Sequence, residues 1–544
     1  MRTPVLLYAL ALLVRVACMI AFPDPAYADS SYYVDVARSL ANGQGLSVDF
    51  VWIFAEVGGV LPANPTLPIP SNAHWLPLAS FIQAPFIVVL GPTAVASALP
   101  LVLIGAIAAP LTFFIARDAG ATPLVQVAAG VLAAIPAAGT VFMSQPENFA
   151  IFQPLVAAVL WLAARGLRGD VRSYVLAGLL VGLASLARND AFLLGAAVGL
   201  VFVIDRWRAW RSGRPAHLPV IAAVGCIALY ALVVGPWFAR QLLEFGSISP
   251  TSSTGQALWL TEYRQWNSTT AETTLQTFLA AGPAVILETR LVGLWGALAN
   301  FTVLISSIVM LPLLPIGAWA RRHSDDFLPY FLFFALLLLG AVIIFPLHVP
   351  GGAYIHTAVG LAPHTYILGL EGVAVAVAWL AARRRRWDAA VATKVFTWGV
   401  VGFVVATAAL YAPVVHGSWD STRAPRQALG TELQRLGIPT EDRLMTIDAS
   451  GFKYWTGHGG VVSPDDPIER IEEVAQAYDI RWLVLERHAV VDALRDVIGE
   501  DARPSWIGAP VFEVPSTKDD GIPELALYPV CFDVDDTRCA DPPA

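Results

Sequence analysis

The stretch Tyr27-Ala28-Asp29-Ser30-Ser31-Tyr32-Tyr33 directly follows the first apolar run of the chain, residues 4–22. That run is long enough to cross the ~30 Å hydrocarbon core of a bilayer as a helix. The stretch therefore places a carboxylate, serine hydroxyls and tyrosines at the end of a predicted membrane helix. We interpret the rest of the chain as a scaffold that holds a substrate against Asp29.

The composition indicates a membrane protein. The chain is 56% hydrophobic and 14% charged, with a mean hydropathy of +0.62, whereas soluble domains carry about 25% charged residues. Its apolar residues also occur in runs of ~20, the length of a membrane helix. The one dense basic run, at residues 383–386, ends an apolar segment and is interpreted as a topology anchor. Nothing in the sequence indicates a nucleic-acid partner.

The positions of the arginines predict the topology, because cytoplasmic loops of membrane proteins carry an excess of Lys and Arg. We predict an α-helical polytopic fold of about eleven spans, with a cytoplasmic N-terminus and an extracytoplasmic C-terminal domain. The scheme requires residues 74–90 to lie along the interface instead of spanning. The predicted spans are residues 4–22, 94–116, 122–143, 149–164, 173–187, 191–204, 218–238, 291–319, 327–346, 358–382 and 395–414.

The first apolar run has an alternative interpretation as a cleaved signal peptide, because Ala26-Tyr27-Ala28 resembles an Ala-x-Ala cleavage site. Two features weigh against cleavage: Arg15 interrupts the run, and the run is long for a signal peptide. We therefore predict that the segment is retained and delivers Asp29 to the outer face.

The hydropathy pattern predicts two domains. Residues 1–415 form the membrane domain, with a structured first outer loop at 23–92 that includes juxtamembrane helices, and a second outer loop at 239–288. Residues 416–544 alternate predicted strands (444–447 and 482–485) with predicted helices (467–478 and 489–498), a pattern typical of a small α/β domain. Cys531 and Cys539 lie near the C-terminus and can close a disulfide in an oxidising compartment.

Four ionisable residues fall at the outer ends of predicted spans: Asp29, Glu147, Arg188 and Asp190. Placing a charged side chain at the centre of the membrane costs about 2.5–3.5 kcal/mol of free energy, so each of these residues is expected to have a structural or functional role. Asp29 and Glu147 also fit helix starts, where an acid is favoured. Arg188 pairs with Asp190 or a lipid headgroup, or it binds a phosphate ligand through paired hydrogen bonds.

Three histidines, His348, His356 and His364, cluster around the start of the penultimate predicted span. Their spacing is not that of a standard zinc site. The ordinary role of such residues is that of polar anchors near the interface.

The order of these features resembles that of GT-C fold glycosyltransferases, the group that includes protein O-mannosyltransferases and the aminoarabinose transferases of lipid A. The resemblance covers residues 1–415. Its motifs are Ala28-Asp29-Ser30-Ser31-Tyr32-Tyr33 with the following residues 37–45, His74-Trp75-Leu76-Pro77-Leu78, Glu147 before the fourth helix, and Ala187-Arg188-Asn189-Asp190. Asn189-Asp190 stands where relatives carry Gly-Pro or Pro-Glu.

The resemblance implies a membrane glycosyltransferase. The donor would be a monosaccharide on a polyprenyl phosphate, and the acceptor a hydroxyl of a protein, lipid or glycan on the outer face. Asp29 would be the general base of an inverting reaction, and Arg188 would bind the donor phosphate. Glu147 would orient a substrate or hold a divalent cation, although no cofactor is required. Tyr33, His74 and His356 are candidate pocket residues.

The alternative function is that of a multi-span secondary transporter or flippase for a lipid-linked or anionic substrate. Transporters tend to show paired halves and broken mid-membrane helices, and the sequence shows no internal repeat. A transporter also has less need of a structured first loop or an outer α/β domain. A lipid-linked sugar polymerase or ligase and a non-catalytic scaffold are further alternatives.

Overall fold

The computed structural model describes residues 2–250, 256–345, 352–384, 387–499, 502–516, 518, 520–533 and 536–539. His348 and two of the arginines at 383–386 lie outside these residues. The described chain is mainly helical, with a mixed sheet near its C-terminal end.

The membrane domain contains helices at all eleven predicted spans, which confirms a polytopic helical fold. Within the part of the chain that the structure describes, seven helical segments are long and apolar enough to cross a membrane: Arg2–Ala21, Ala94–Asp118, Phe149–Leu167, Val220–Phe245, Gly282–Ile305, Tyr354–Ala381 and Ala389–Arg435. Three further predicted spans correspond to shorter apolar helices: Pro123–Ala134, Val171–Ala187 and Leu328–Leu339. The remaining predicted span is the more polar helix Phe192–Ser212.

The predicted span at 291–319 is broken. Its first part belongs to the helix Gly282–Asn300 and its second to the helix Leu314–Arg321. Between them the chain passes through Ser307 and Ile308, which have positive φ angles of 53° and 59°. Hydropathy stays high across this break, so it gave no signal in the sequence.

Small residues allow close helix packing in the bundle. The helices Val171–Ala187 and Val220–Phe245 approach so closely that a Cβ at Gly178 would collide with the carbonyl of Cys226. Such small residues are typical of membrane helix interfaces, because lipid-embedded helices associate through close packing.

Residues 23–92 and 239–288 keep the names first and second outer loop from the predicted topology. The first of these segments carries two helices, Ala28–Ala41 and Leu78–Leu90. The first of these helices ends at its C-cap residue Asn42. The second has 13 residues and a length of ~20 Å, which is shorter than the ~30 Å hydrocarbon core. The two helices pack together, and the hydroxyl of Ser80 donates to the carbonyl of Tyr33 at 2.9 Å.

The C-terminal sheet includes a strand from the first outer loop. The strands of the described residues are β1 Ser47–Val48, β2 Phe50–Val51, β3 Ile69–Pro70, β4 Arg443–Thr446, β5 Gly460–Val462, β6 Ile480–Glu486, β7 Phe512–Val514 and β8 Leu525–Pro529. The order of the C-terminal sheet is β2-β5-β4-β6-β8-β7, and β2 pairs in parallel with β5. A separate two-stranded sheet joins β1 and β3.

The helix Ala389–Arg435 runs without interruption from the membrane domain into the C-terminal part. The domain boundary placed at residue 415 lies inside it, so a rigid helix joins the two parts. Its buried Arg426 pairs with Asp448 at 2.5 Å and with Glu486 on β6 at 2.8 Å. Arg426 thereby ties this helix to both the sheet and the segment that follows β4.

The helices of the C-terminal part cover the sheet and contact both outer loops. The helix Ala449–Thr456 packs on Ala28–Ala41, and the hydroxyl of Ser450 in its first turn donates to the carbonyl of Ala28 at 3.1 Å. The predicted helix at 489–498 is reduced to a 3-10 turn and the short helix Arg495–Gly499. Cys531 and Cys539 form a disulfide. The remaining helices are Ile53–Glu56, Gln256–Trp259, Leu275–Ala280, Gly352–Ala358, Ala449–Thr456 and Ile468–Ala477.

Candidate active site

A cavity of about 1010 Å³ lies where the two outer loops meet the helical bundle. Both loops and the ends of several bundle helices contribute to its lining. Five of the six predicted substrate-site residues line it: Asp29, Tyr33, His74, Arg188 and His356. Glu147 lies just behind the cavity wall and is 1% exposed. The structure therefore brings together residues from four separate segments of the chain.

Asp29 lies in the first turn of the helix Ala28–Ala41, and its side chain turns away from the backbone. The indole Nε1 of Trp75 donates to its Oδ1 at 3.0 Å. Its Oδ2 lies 4.0 Å from Nε2 of His356. Tyr27, not Asp29, occupies the N-cap position. The alternative in which Asp29 caps this helix is therefore wrong.

Burial raises the pKa of the Asp29 carboxyl above its usual value. The hydrogen bond from Trp75 and the positive charge of Arg188 act in the opposite direction and lower that pKa. A carboxylate whose pKa is raised toward the working pH is a stronger proton acceptor, provided that it remains ionised.

Glu147 precedes the helix Phe149–Leu167, and one of its carboxylate oxygens stabilises the start of that helix, as the sequence predicts. Its Oε1 accepts from the amide of Phe149 at 2.8 Å. Its Oε2 is buried and has no hydrogen-bond partner among the described residues. Burial, with the charge of Asp29, raises the pKa of Glu147 to about 8. One oxygen is thus structural, while the other remains available.

Asp29, Glu147 and His356 form a candidate cation site. One potential ligand atom from each of the three lies within 4.8 Å of the others. Two carboxylates and an imidazole are ligands that Zn²⁺ and other divalent transition metals accept. The ring of His356 is stacked on Phe149, with centroids 4.5 Å apart, which fixes its orientation. The residues present therefore fit a divalent cation.

The other two histidines of the sequence cluster do not join this site. His364 is fully buried in the bundle, where it is stacked on Tyr330 at 5.8 Å. His348 lies outside the described residues. The sequence gave no signal for the grouping of His356 with Asp29 and Glu147, because tertiary folding alone brings these three segments together.

Arg188 interrupts the hairpin between Val171–Ala187 and Phe192–Ser212, and it adopts an extended backbone conformation with φ −148° and ψ 139°. Its Nε and Nη2 donate to the two carboxylate oxygens of Asp190 at 3.0 and 3.1 Å. The hydroxyl of Thr357 also donates to Asp190. The pairing with Asp190 considered from the sequence is therefore present. Nη1 of Arg188 makes no hydrogen bond to the described residues.

Tyr33 and His74 connect these groups. Nδ2 of Asn148 donates to the hydroxyl of Tyr33 at 2.5 Å, beside Glu147. Nδ2 of Asn189 donates to the carbonyl of His74 at 2.8 Å, beside Arg188. Burial and the charge of Arg188 lower the pKa of His74 to about 4, so its imidazole is neutral at physiological pH.

Several aromatic residues of the cavity were not singled out from the sequence. They come from both outer loops, and their clustering depends on how these loops fold together. They are Trp52, Phe54, Tyr263 and Trp266, and they join Trp75 of the motif at residues 74–78.

Comparison with known proteins identifies the fold. Residues 71–235 match the sequence profile of the family described as dolichyl-phosphate-mannose-protein mannosyltransferase. No curated protein sequence gives a significant match. The matched segment contains His74, Glu147 and Arg188, whereas Asp29 precedes it.

Solved structures of two kinds of enzyme are similar to the whole chain. ArnT from Cupriavidus metallidurans bound to undecaprenyl phosphate has a TM-score of 0.55 at 13% identity, over 96% of this chain and 97% of that one. AglB, the oligosaccharyltransferase of Archaeoglobus fulgidus, in complex with an inhibitory peptide and a dolichol-phosphate, has a TM-score of 0.54 at 13% identity, over 88% and 69%. A structure of the Archaeoglobus oligosaccharyltransferase with Zn and sulfate has a TM-score of 0.52 at 13% identity, over 95% and 73%. The predicted likeness to GT-C fold glycosyltransferases is confirmed.

Proposed function

We propose that the chain is a glycosyltransferase that moves a monosaccharide from a polyprenyl-phosphate donor to an acceptor hydroxyl, with inversion at the anomeric carbon. The observation that carries this proposal is a half-buried carboxylate, Asp29, which lines one cavity together with a cation, Arg188. The undecaprenyl phosphate of the ArnT structure and the dolichol-phosphate of the AglB structure support a lipid-phosphate ligand of the same class.

Asp29 acts as the general base in this proposal. Trp75 holds Oδ1, so Oδ2 is the oxygen free to accept the proton of the acceptor hydroxyl. The hydroxyl oxygen forms a bond to the anomeric carbon as the bond from that carbon to the phosphate oxygen breaks. The bonding electrons leave with the phosphate, and the proton remains on Asp29. A positioned base of this kind contributes about 10²–10⁴-fold to the rate.

Arg188 stabilises the charge that develops on the departing phosphate. Its Nη1 is available to the phosphate, while Asp190 orients the guanidinium through the other two nitrogens. This arrangement keeps the cation in place without a ligand. The phosphate must nevertheless compete with Asp190 for the positive charge of the Arg188 guanidinium.

Glu147 either orients a substrate or holds a divalent cation with Asp29 and His356. Both roles rest on Oε2, which has no hydrogen-bond partner among the described residues. A bound cation would supply positive charge beside the departing phosphate. Glu147 lies directly before a bundle helix, and this position holds its Oε2 close to Asp29.

The cavity faces the outside of the cell in the proposed orientation, with a cytoplasmic N-terminus and an extracytoplasmic C-terminal domain. The test uses single cysteines at Ser418 and Ser212, both exposed, with Cys18 and Cys226 replaced by alanine. An impermeant maleimide added to intact cells labels S418C and not S212C. The reverse pattern would overturn the orientation.

The enzymatic proposal is tested with purified protein in lipid nanodiscs. Polyprenyl-phosphate mannose and arabinose serve as donors, and mass spectrometry follows loss of the lipid-linked sugar. We expect turnover by the wild type and none by Asp29→Asn.

The matched control is Asp35→Asn, on the same helix. Burial raises the pKa of Asp35 to about 8, so its carboxyl is already mostly protonated at neutral pH and the amide is a close replacement. Unaltered donors with both wild type and control, together with movement of donor lipid across proteoliposomes, would favour the flippase alternative. Full activity in Asp29→Asn would remove Asp29 from the base role.

A further inference from the structure

The cavity has an aromatic wall, which we define as Trp52, Phe54, Trp75 and Trp266. Phe54 is central: its ring centroid lies 4.9 Å from that of Trp266, 5.8 Å from that of Trp75 and 6.1 Å from that of Trp52. These side chains come from three separate segments of the two outer loops. All four line the same cavity as Asp29.

The aromatic wall is held in place from behind. Nε1 of Trp52 donates to the hydroxyl of Ser450 at 3.4 Å. The loop that carries Trp266 is fastened by Asp466, which accepts from the amide of Thr269 at 2.7 Å and the hydroxyl of Thr270 at 2.6 Å. The C-terminal part therefore fixes both ends of the aromatic wall. A surface fixed in this way loses little conformational entropy when a ligand binds.

The aromatic wall is joined directly to the proposed base. Trp75 is one of its members, and its Nε1 donates to Oδ1 of Asp29. A ligand that packs on these rings therefore has its polar edge beside the carboxylate that accepts the proton. The position is that of the acceptor.

The chemistry around the aromatic wall selects a neutral ligand that is apolar on one face and polar at its edges. Sugar rings have this character, because their C–H groups project from the faces and their hydroxyls project from the rim. The neutral His74 packs against Trp75 at 5.1 Å, and its Nδ1 has no partner among the described residues. This nitrogen is available to a hydroxyl.

An anionic acceptor is disfavoured by charge. Arg188 is the one arginine or lysine among the described lining residues of the cavity, and it is paired with Asp190. Asp29 and Asp190 are the acidic residues of the same lining. A phosphorylated or carboxylated acceptor would meet like charges without a second free cation to neutralise it.

We propose that the aromatic wall is the acceptor subsite and that it takes the neutral sugar ring of a glycan, an inference that rests on the proposed transferase function. The sugar packs on the face of Trp266, contacts the tilted ring of Phe54 with its edge, and points one hydroxyl at Oδ2 of Asp29. Transfer therefore extends or branches a glycan.

The test measures acceptor use and acceptor binding separately in nanodiscs. The probes are mannobiose, arabinobiose, maltose and galactobiose, with N-acetylthreonine amide and mannose 6-phosphate for comparison. Saturation-transfer NMR measures acceptor binding in the absence of donor. Hydrolysis of the donor, with water as the acceptor, measures the transferase activity independently of any sugar acceptor. We expect at least one neutral disaccharide to bind and to accept sugar, and the two comparison probes to do neither.

Trp266→Ala is expected to lower kcat/KM for the disaccharide at least tenfold, while KM for the donor stays within twofold. Trp266→Phe should recover most of the activity, because it restores an aromatic face. The matched control is Trp259→Ala in the same loop, since Trp259 contacts Phe278 and does not line the cavity. A melting temperature for each variant separates loss of the subsite from loss of folding.

Three results would overturn the acceptor proposal: no disaccharide binds the wild type, the threonine amide or the phosphorylated sugar is preferred, or well-folded Trp266→Ala and Phe54→Ala retain full acceptor use. If the protein still consumes the donor, the first two of these results contradict only the acceptor proposal and not the transferase function. Disaccharide binding in a protein that never consumes a lipid-linked sugar would contradict the transferase function instead.

Discussion

The indole of Trp75 and the carboxylate of Asp29 are joined by a hydrogen bond of 3.0 Å between Nε1 and Oδ1. Trp75 lies just before the helix Leu78–Leu90, and Asp29 lies in the first turn of Ala28–Ala41. The bond therefore connects the two helices of the first outer loop at the cavity. It orients the carboxylate, and it stabilises its ionised form.

We expect Trp75→Phe to move the acid limb of the pH–rate profile to higher pH. The pKa of Asp29 is raised by burial and lowered by the bond from Trp75, so loss of the bond raises it further. A general base works when ionised, and the rate therefore rises with pH through this pKa. A hydrogen bond to an ionised carboxylate of about 1.5–3 kcal/mol corresponds to roughly 1–2 pH units. Initial rates from pH 4 to 9 measure the shift, and an unchanged acid limb would contradict it.

Arg188→Ala should weaken binding of the donor much more than binding of the acceptor. The variant removes a charged hydrogen bond to phosphate of about 1.5–3 kcal/mol, which is roughly a 10- to 100-fold rise in donor KM. Steady-state kinetics with each substrate varied in turn measures the difference. Arg290→Ala is the control, because Arg290 packs on Phe278 and neither residue lines the cavity. Equal losses for both substrates would refute the phosphate role.

Addition of Zn²⁺ or Mn²⁺ should raise the melting temperature of the wild type and not that of Glu147→Gln. A ligand that binds only the folded state stabilises it, and Glu147 contributes a buried oxygen without a partner among the described residues. Isothermal calorimetry on chelated protein gives the stoichiometry. If chelation also abolishes transfer, Glu147 holds a cation for catalysis; if transfer persists, Glu147 orients a substrate. A wild type that binds neither metal would exclude the cation site.

Arg426→Ala should strongly destabilise the C-terminal part. It leaves Asp448 and Glu486 buried beside each other without their shared cation, and breaking a buried ion pair in this way costs about 3–5 kcal/mol. Differential scanning calorimetry measures the loss. Arg435→Ala on the same helix is the control, because the Arg435 side chain is exposed where it pairs with Glu432, and it should leave the melting temperature nearly unchanged.

The sequence predicted the membrane fold, the first outer loop and most C-terminal elements because these depend on local hydropathy, turn residues and periodicity. It did not predict the break at Ser307, where the composition stays apolar. It also placed a domain boundary at residue 415, where hydropathy falls but the helix continues to Arg435.

The candidate site was predicted in parts. Asp29, Glu147 and Arg188 were found from their position at the outer ends of spans, which is a one-dimensional property. The sequence left open whether Asp29 caps its helix and whether Asp190 pairs with Arg188, and both outcomes depend on side-chain directions. The aromatic wall and the contact of His356 with Asp29 depend on loop-to-loop packing, to which no local pattern corresponds.

The pairing of β2 with β5 imposes an order on biosynthesis. Phe50 and Val51 complete a sheet whose neighbouring strand is made about 400 residues later, roughly 20–80 s at ~5–20 residues per second. Until then the segment after Ala28–Ala41 lacks its partner, and Ser450 has not reached the carbonyl of Ala28. The helix that carries Asp29 is therefore completed only when the last quarter of the chain has been made, so a chain stalled partway carries an unfinished candidate site.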